Sequence, residues 1–292
     1  MLNKVLERKR GQIRGLQDLQ SPPLIAQQLM EEISKEDVDI AQLSRLIEQD
    51  PGVLARIIGI ANSAFYGCSD KIYSVSDAII KVLGLNMVKN LALGIVMSNS
   101  FRPVKCVEFE LDQYWIEAIY TATLARKLAP YVGLKKVNLE DRAYLCGLLH
   151  NLGLLVLVHL FPEQMSDVFR QANSINADAK KIHQLQRDIV GFTYTEAGRV
   201  LIQKWQLPGE VAAVAEHHGE VDYRGEYWEI TSLIGLCINL QSLNFTNSDW
   251  GEDNERYISA LHLEKDAVKT AFETVAAKKN EITGMAHVLS LD

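Results

Sequence analysis

The run Tyr144-Leu145-Cys146-Gly147-Leu148-Leu149-His150-Asn151-Leu152-Gly153-Leu154-Leu155 constrains this chain more than any other. Leu145, Leu148, Leu149, Leu152 and then Leu155 or Val156 recur at three- and four-residue steps, the period of a helix. In its middle two polar residues, His150 and Asn151, stand side by side. Burying either without a partner would cost about 1–3 kcal/mol. They are therefore hydrogen-bonded core residues or the remains of a site.

On both sides of this run the pattern is helix, punctuated by Gly, Pro, Ser and Asp. Residues 1–20 carry Lys4, Arg8, Lys9, Arg10 and Arg14 over a partial apolar stripe and read as a solvated arm or lead-in helix. Ser21-Pro22-Pro23 starts a helix that reaches about Ile33. Asp50-Pro51 is an N-cap followed by a first-turn proline, and Val53, Leu54, Ile57, Ile58 and Ile60 pack inward behind it. Asn62 reads as a second cap. Ser74 to Asp77 caps Ala78 to Leu83, Gly84 ends that helix, and Asn86 to Met97 is the next. Phe101 to Glu110 reads as a loop or crossover, and Leu111 to Leu128 as a long helix broken by Pro130 and Gly133. Further helices open at Phe161-Pro162, Ala177, Thr193 or Thr195, and Leu207-Pro208. Beyond a linker (Glu220 to Glu226) come a helix from Trp228 to Leu240, a polar loop from Asn247 to Asn254, and a last helix from about Lys265 to Asn280 before a tail. No strand alternation of convincing length is present, so the expected fold class is all-α.

Composition excludes several functions. The net charge of −7 argues against a general polyanion binder, because phosphate affinity comes from clustered Lys and Arg. The helices around Ser76, Gly84 and Met97 suggest a helix-turn-helix, but the second carries only Lys89 as a cation, so packing is the favoured reading and no specific nucleic acid is expected. Cys68, Cys106, Cys146 and Cys237 stand far apart without CxxC spacing and read as reduced thiols of a cytoplasmic protein. The N-terminus lacks a signal-peptide core, and the longest apolar run, Leu152 to Val158, is far short of the roughly 20 residues of a membrane span. No GxSxG elbow or GxxxxGK[ST] loop occurs, so no catalytic nucleophile or phosphate loop is expected, and Gly147 and Gly153 read as helix-packing glycines.

Two blocks together resemble the HDOD domain, a bacterial signalling module related to the HD phosphohydrolases. The first runs from Ser21-Pro22-Pro23-Leu24 through Asp50-Pro51-Gly52-Val53-Leu54-Ala55-Arg56 and Ala61-Asn62-Ser63-Ala64 to Ile72-Tyr73-Ser74, Ala78-Ile79 and Leu83-Gly84. The second is Gly147-Leu148-Leu149-His150-Asn151-Leu152-Gly153, then Gly198 with Lys204-Trp205 and Leu207-Pro208, then His217-His218. Asp50, Pro51, Asn62, Ser63, Trp205 and Pro208 are the structural residues of the motif. The resemblance implies an N-terminal arm (1–18), an HDOD domain (19–220) split into a helical N-terminal subdomain (19–100) and an HD-like helical core (101–220), and a helical C-terminal extension (221–292).

In active HD enzymes, His and Asp side chains bind metals that make hydroxide for attack on phosphorus. Here the resemblance implies losses. The doublet is His150-Asn151 rather than His-Asp, Glu117 stands where an early His is expected, Tyr194 lies about where the family usually has a His, and Asn239 stands for a late Asp. His150, Asn151, Tyr194, His217, His218 and Asn239 thus read as a vestigial site. His150 reads first as a core histidine bonded to a backbone carbonyl or to Asn151. The His217-His218 pair sits at a helix end, where it complements the dipole. A metal site from His150, His217, His218 and Glu117 is the minority reading.

The expected function is a non-catalytic regulatory domain in signal transduction. It would bind a partner protein, with a small nucleotide as a further ligand, and no cofactor is expected. The alternative is a divergent metal-dependent phosphohydrolase acting on a phosphodiester or nucleotide, with a divalent metal as cofactor. The oligomeric state is left open.

Overall fold

Asp39 and Asp50 show how the chain starts its helices. Asp39 accepts a hydrogen bond from the Ala41 amide at 2.8 Å, and Asp50 accepts from the Gly52 and Val53 amides at 2.9 and 3.1 Å. In a computed structural model that describes residues 21–33, 35, 38–101, 106–132, 139–242 and 250–291, these caps open α2 (Ile40–Glu48) and α3 (Pro51–Ala61), behind α1 (Leu24–Ile33). Every regular element among the described residues is helical. The expected arm, residues 1–18, lies outside them, as does Gly133.

Asn62 does more than cap. Its Nδ2 donates to the Ile58 and Ile72 carbonyls and its Oδ1 accepts from the Ile72 amide, each at 2.9 Å, so one side chain closes the loop between α3 and the next helix. That helix, α4 (Val75–Asp77), opens on the Ser74 hydroxyl and widens into a π-turn over Ala78–Leu83. Gly84 ends it with φ of +78°, a conformation that favours glycine. The following α5 (Leu85–Asn99) is enclosed from Met87 to Ser98, with Lys89 only 8% exposed, so it is a packing helix rather than a free recognition surface.

The centre of the fold is α6 (Leu111–Leu128), bounded as its apolar pattern requires. Against it packs the central apolar run, which the sequence presents as one helix and the structure divides into α7 (Leu139–Leu149) and α8 (Leu152–Leu160). The break falls on His150 and Asn151. The His150 ring takes the Gly147 carbonyl at 2.7 Å, Asn151 turns out of helical geometry (φ −106°, ψ 12°), and its carbonyl starts the new helix on the Leu154 amide. Leu139–Leu160 is long and apolar enough by composition to cross a membrane, yet its most apolar part is mostly buried within the protein. Gly147 explains the close α6–α7 packing, because a Cβ there would stand 2.5 Å from the Ala122 Cα.

Next come α9 (Pro162–Ser174), α10 (Ala179–Ile189), α11 (Tyr194–Lys204) and α12 (Gly209–His217). Trp205, 2% exposed, ends α11 and stacks on Phe101 at 5.3 Å, while Pro208 occupies the N-cap of α12. Arg142 on α7 grips Glu210 on α12 with two bonds of 2.8 and 2.6 Å. Both side chains are mostly shielded (29% and 14% exposed), so Arg142→Ala is expected to cost about 2 kcal/mol in urea denaturation. A loss below about 0.5 kcal/mol would mean that solvent already screens the pair.

Beyond residue 220 the helix expected from Trp228 is present, and the segments after it differ from expectation. α13 (Trp228–Ser242) packs on α6, α7 and α12. Residues 243–249 of the expected polar loop lie outside the described residues, but 252–254 are helical and belong to α14 (Glu252–Ala260). Glu252, Asp253 and Glu255 in its first turn suit the positive end of a helix dipole. The expected last helix is two, α15 (Lys265–Ala276) and α16 (Lys279–Ser290), separated where Lys278 leaves helical geometry (φ −98°, ψ 20°) without a glycine or proline to signal it. The expected tail is therefore α16, which packs on α6 and α3. Arg56 on α3 fastens its end, donating to the Leu291 carbonyl and, at 2.6 Å, to Asn99 Oδ1.

Candidate functional site

Three of the expected site residues meet under the α7–α8 break. His150 is 5% exposed and His218 is 3% exposed, and their rings meet edge to face at 5.5 Å. Tyr194, the first residue of α11, places its hydroxyl 2.8 Å from His218 Nε2. A residue absent from the sequence expectation completes the group. His183 on α10 lies 5.0 Å from the Tyr194 ring, and its Nε2 is buried without a hydrogen-bond partner among the described residues. The signal was a weak one: His183, Gln186 and Val190 fall at helical spacing on one stripe.

Local chemistry explains why Tyr194 points inward. Thr193 and Glu196 form a reciprocal capping box at the start of α11. Buried Gln186 accepts the Tyr194 amide at 3.0 Å. Gly153 on α8 and Gly198 on α11 then let the two helices touch backbone to backbone. A Cβ on Gly153 would stand 2.5 Å from the Gly198 amide nitrogen and overlap the Tyr194 carbonyl.

The His218 end is held from the other side. Tyr257 on α14 donates to the His218 carbonyl at 3.0 Å, and Gly235 on α13 leaves room for that carbonyl. The segment past residue 221 thus positions this histidine.

The hydrogen bonds fix the tautomers. His218 Nδ1 lies 2.8 Å from the Val214 carbonyl and His150 Nδ1 lies 2.7 Å from the Gly147 carbonyl. A carbonyl oxygen can only accept, so both rings carry their proton on Nδ1 and present a lone pair at Nε2. The Tyr194 hydroxyl donates to the His218 lone pair. Burial keeps both imidazoles neutral, lowering His150 to about 4 and His218 to about 3, with the neighbouring His150 ring adding to the effect on His218. Burial also pushes the Tyr194 phenol well above its ordinary value, and the nearby Glu117 carboxylate pushes it further. Glu117, half-buried and bonded to Gln113 at 2.9 Å, is itself raised by burial.

Of the other expected residues, His217 faces away from this contact. His217 stacks on Tyr223 at 4.1 Å, with its Nδ1 3.1 Å from a Glu220 carboxylate oxygen. Asn151 is 7% exposed and makes no side-chain cap to α8, and Asn239 is half-buried on α13. Ser63 sits at the end of α3 beside a groove of about 400 Å³ shared with α16, and its hydroxyl has no partner among the described residues.

These side chains do not fit the metal centre that the HD resemblance implies. The joined side chains are imidazoles and a protonated phenol in place of the His and Asp set of an HD centre, with the His218 lone pair already taken. Among the described residues no group of three or more His, Cys, Asp or Glu side chains is arranged to hold a metal ion.

The sequence profile of the HDOD domain matches residues 19–221. A protein of Treponema pallidum (strain Nichols), described as uncharacterized, is 26% identical over 223 residues, covering 76% of this chain and 42% of its own length. A crystal structure of a candidate signal transduction protein from Marinobacter aquaeolei VT8 superposes with a TM-score of 0.80 at 24% identity, covering 97% of this chain and 66% of that one. A crystal structure of a candidate phosphohydrolase from Shewanella amazonensis SB2B gives 0.75 at 18% identity, covering 96% and 98%. The chain therefore spans less than two thirds of the Treponema and Marinobacter proteins, and at these identities the two structural likenesses speak to fold.

Proposed function

This chain belongs to the HDOD domain family, and from that premise we propose that it is a non-catalytic signal-transduction domain that works by binding a partner protein, with a small nucleotide as a further class of ligand. The observation that carries the reading is the closed His150–His218–Tyr194 contact, in which the His218 lone pair is spent on an internal phenol. A hydrolase of HD type needs that lone pair on a metal, and an activated water beside it. The Marinobacter neighbour, described in signal-transduction terms, supports the direction of the reading.

The test is metal analysis of the purified protein, followed by assay of a chromogenic phosphodiester and of nucleotides with Mn²⁺ or Mg²⁺. The expected result is metal well below one equivalent and no turnover above the buffer blank. One equivalent of divalent metal together with sustained turnover would overturn the proposal in favour of a divergent phosphohydrolase using His150, His217, His218 and Glu117.

A further inference from the structure

We propose that Tyr194 is a built-in plug, an internal ligand that occupies the place at His218 where a transition-metal ion would otherwise bind. The inference rests on the non-catalytic reading and says what maintains it. His218 is still prepared as a metal ligand. Its Nδ1–H is anchored on the Val214 carbonyl at 2.8 Å, the kind of outer hydrogen bond that orients a ligating imidazole and leaves Nε2 free to coordinate. His150 is anchored in the same way on Gly147. What closes the position is the Tyr194 hydroxyl, 2.8 Å from that Nε2.

The far side of the plug is imidazole as well. The His183 ring packs against Tyr194 at 5.0 Å with a buried, unpartnered Nε2. Removing the phenol would leave a void on the order of 100 Å³ that the His183 and His218 rings border on two sides. Such a void takes water or a cation, and imidazole nitrogens suit cobalt, nickel or zinc. The plug is held from outside the void, by the capping box at Thr193 and by the Gly153–Gly198 contact, so its position does not depend on the hydrogen bond it makes.

Cobalt(II) is the probe, because its visible absorption reports nitrogen ligands without any need for activity. Wild-type protein and Tyr194→Phe, which keeps the ring, are expected to show no protein-bound cobalt spectrum. Tyr194→Ala is expected to gain one, with affinity roughly tenfold or more above wild type, and to lose it when His218→Ala is added. Helical circular dichroism checks that each variant is folded. Should Tyr194→Ala fail to fold, Tyr194→His, which retains more of the side chain and adds a donor, is read in the same way. A wild-type cobalt spectrum that depends on His218 would overturn the plug, and so would folded variants that bind cobalt no better than Tyr194→Phe. The two readings fail separately: turnover by the wild-type protein defeats the non-catalytic proposal, whereas cobalt-blind variants of an inactive protein defeat only the plug.

Discussion

Gly153→Ala is expected to cost about 4 kcal/mol or more, or to prevent folding, when stability is measured by chemical denaturation. The added methyl would overlap the Tyr194 carbonyl and stand 2.5 Å from the Gly198 amide. Both obstacles are backbone, which has no rotamer to give. The α8 and α11 helices must separate, and separation draws Tyr194 away from His218 and opens the core around Leu152, Leu155 and Leu201, all at most 1% exposed. Gly284→Ala is the control. That position lies within α16 with nothing within 4 Å, so alanine should be neutral or add up to about 1 kcal/mol through helix propensity. If Gly153→Ala behaves like Gly284→Ala, the close crossing of α8 and α11 is wrong.

The second large effect is acid lability. His150 and His218 titrate in the unfolded chain near the ordinary value of 6.5, but in the folded protein they take a proton only at about 4 and about 3. The folded values lie below the unfolded ones, so between them the unfolded chain binds more protons and stability rises with pH. The neutral rings therefore lend their full stability above about pH 6.5 and lose it progressively as the pH falls toward 4. Each pKa unit corresponds to about 1.4 kcal/mol, so two such groups put several kcal/mol at stake against a usual total of about 5–15. Denaturation midpoints at pH 7.5, 6.5, 5.5 and 4.5 should fall steadily. In His150→Gln, folded though weaker, the slope should be shallower. A flat profile across this window would show that the two rings are solvated, contrary to the packing described.

Much of this was readable in the residues themselves. Asp50 and Ser74 announce their helices by local chemistry, and each caps as its sequence position requires; the choice between Thr193 and Thr195 falls to Thr193. The long helix Leu111–Leu128 needed only its apolar spacing. What periodicity could not convey was the break at His150, because leucine spacing continues unchanged across it while a side chain claims the Gly147 carbonyl. The second break, at Lys278, likewise lacks a breaker residue. The site was half legible. His150, Tyr194 and His218 were singled out, but His183 was not, since a histidine on a polar helix looks solvated until the opposing helix is placed. The adjacent pair His217-His218 could not be divided from sequence either. Helical geometry sends consecutive side chains about 100° apart, so one enters the core and the other faces Tyr223.

The seam between α3 and α16 bears on how the chain reaches this structure. Arg56 meets the carbonyl of Leu291, and Gly59 leaves room for Val288. Contacts across that much chain must be preceded by loop closure, whose entropy is spent before the contact returns anything. The capped helices near the start can form locally, but α3 cannot bury its Arg56 guanidinium in this way until the last helix arrives. Completion of the α3 side of the N-terminal layer thus depends on a contact that spans 235 residues.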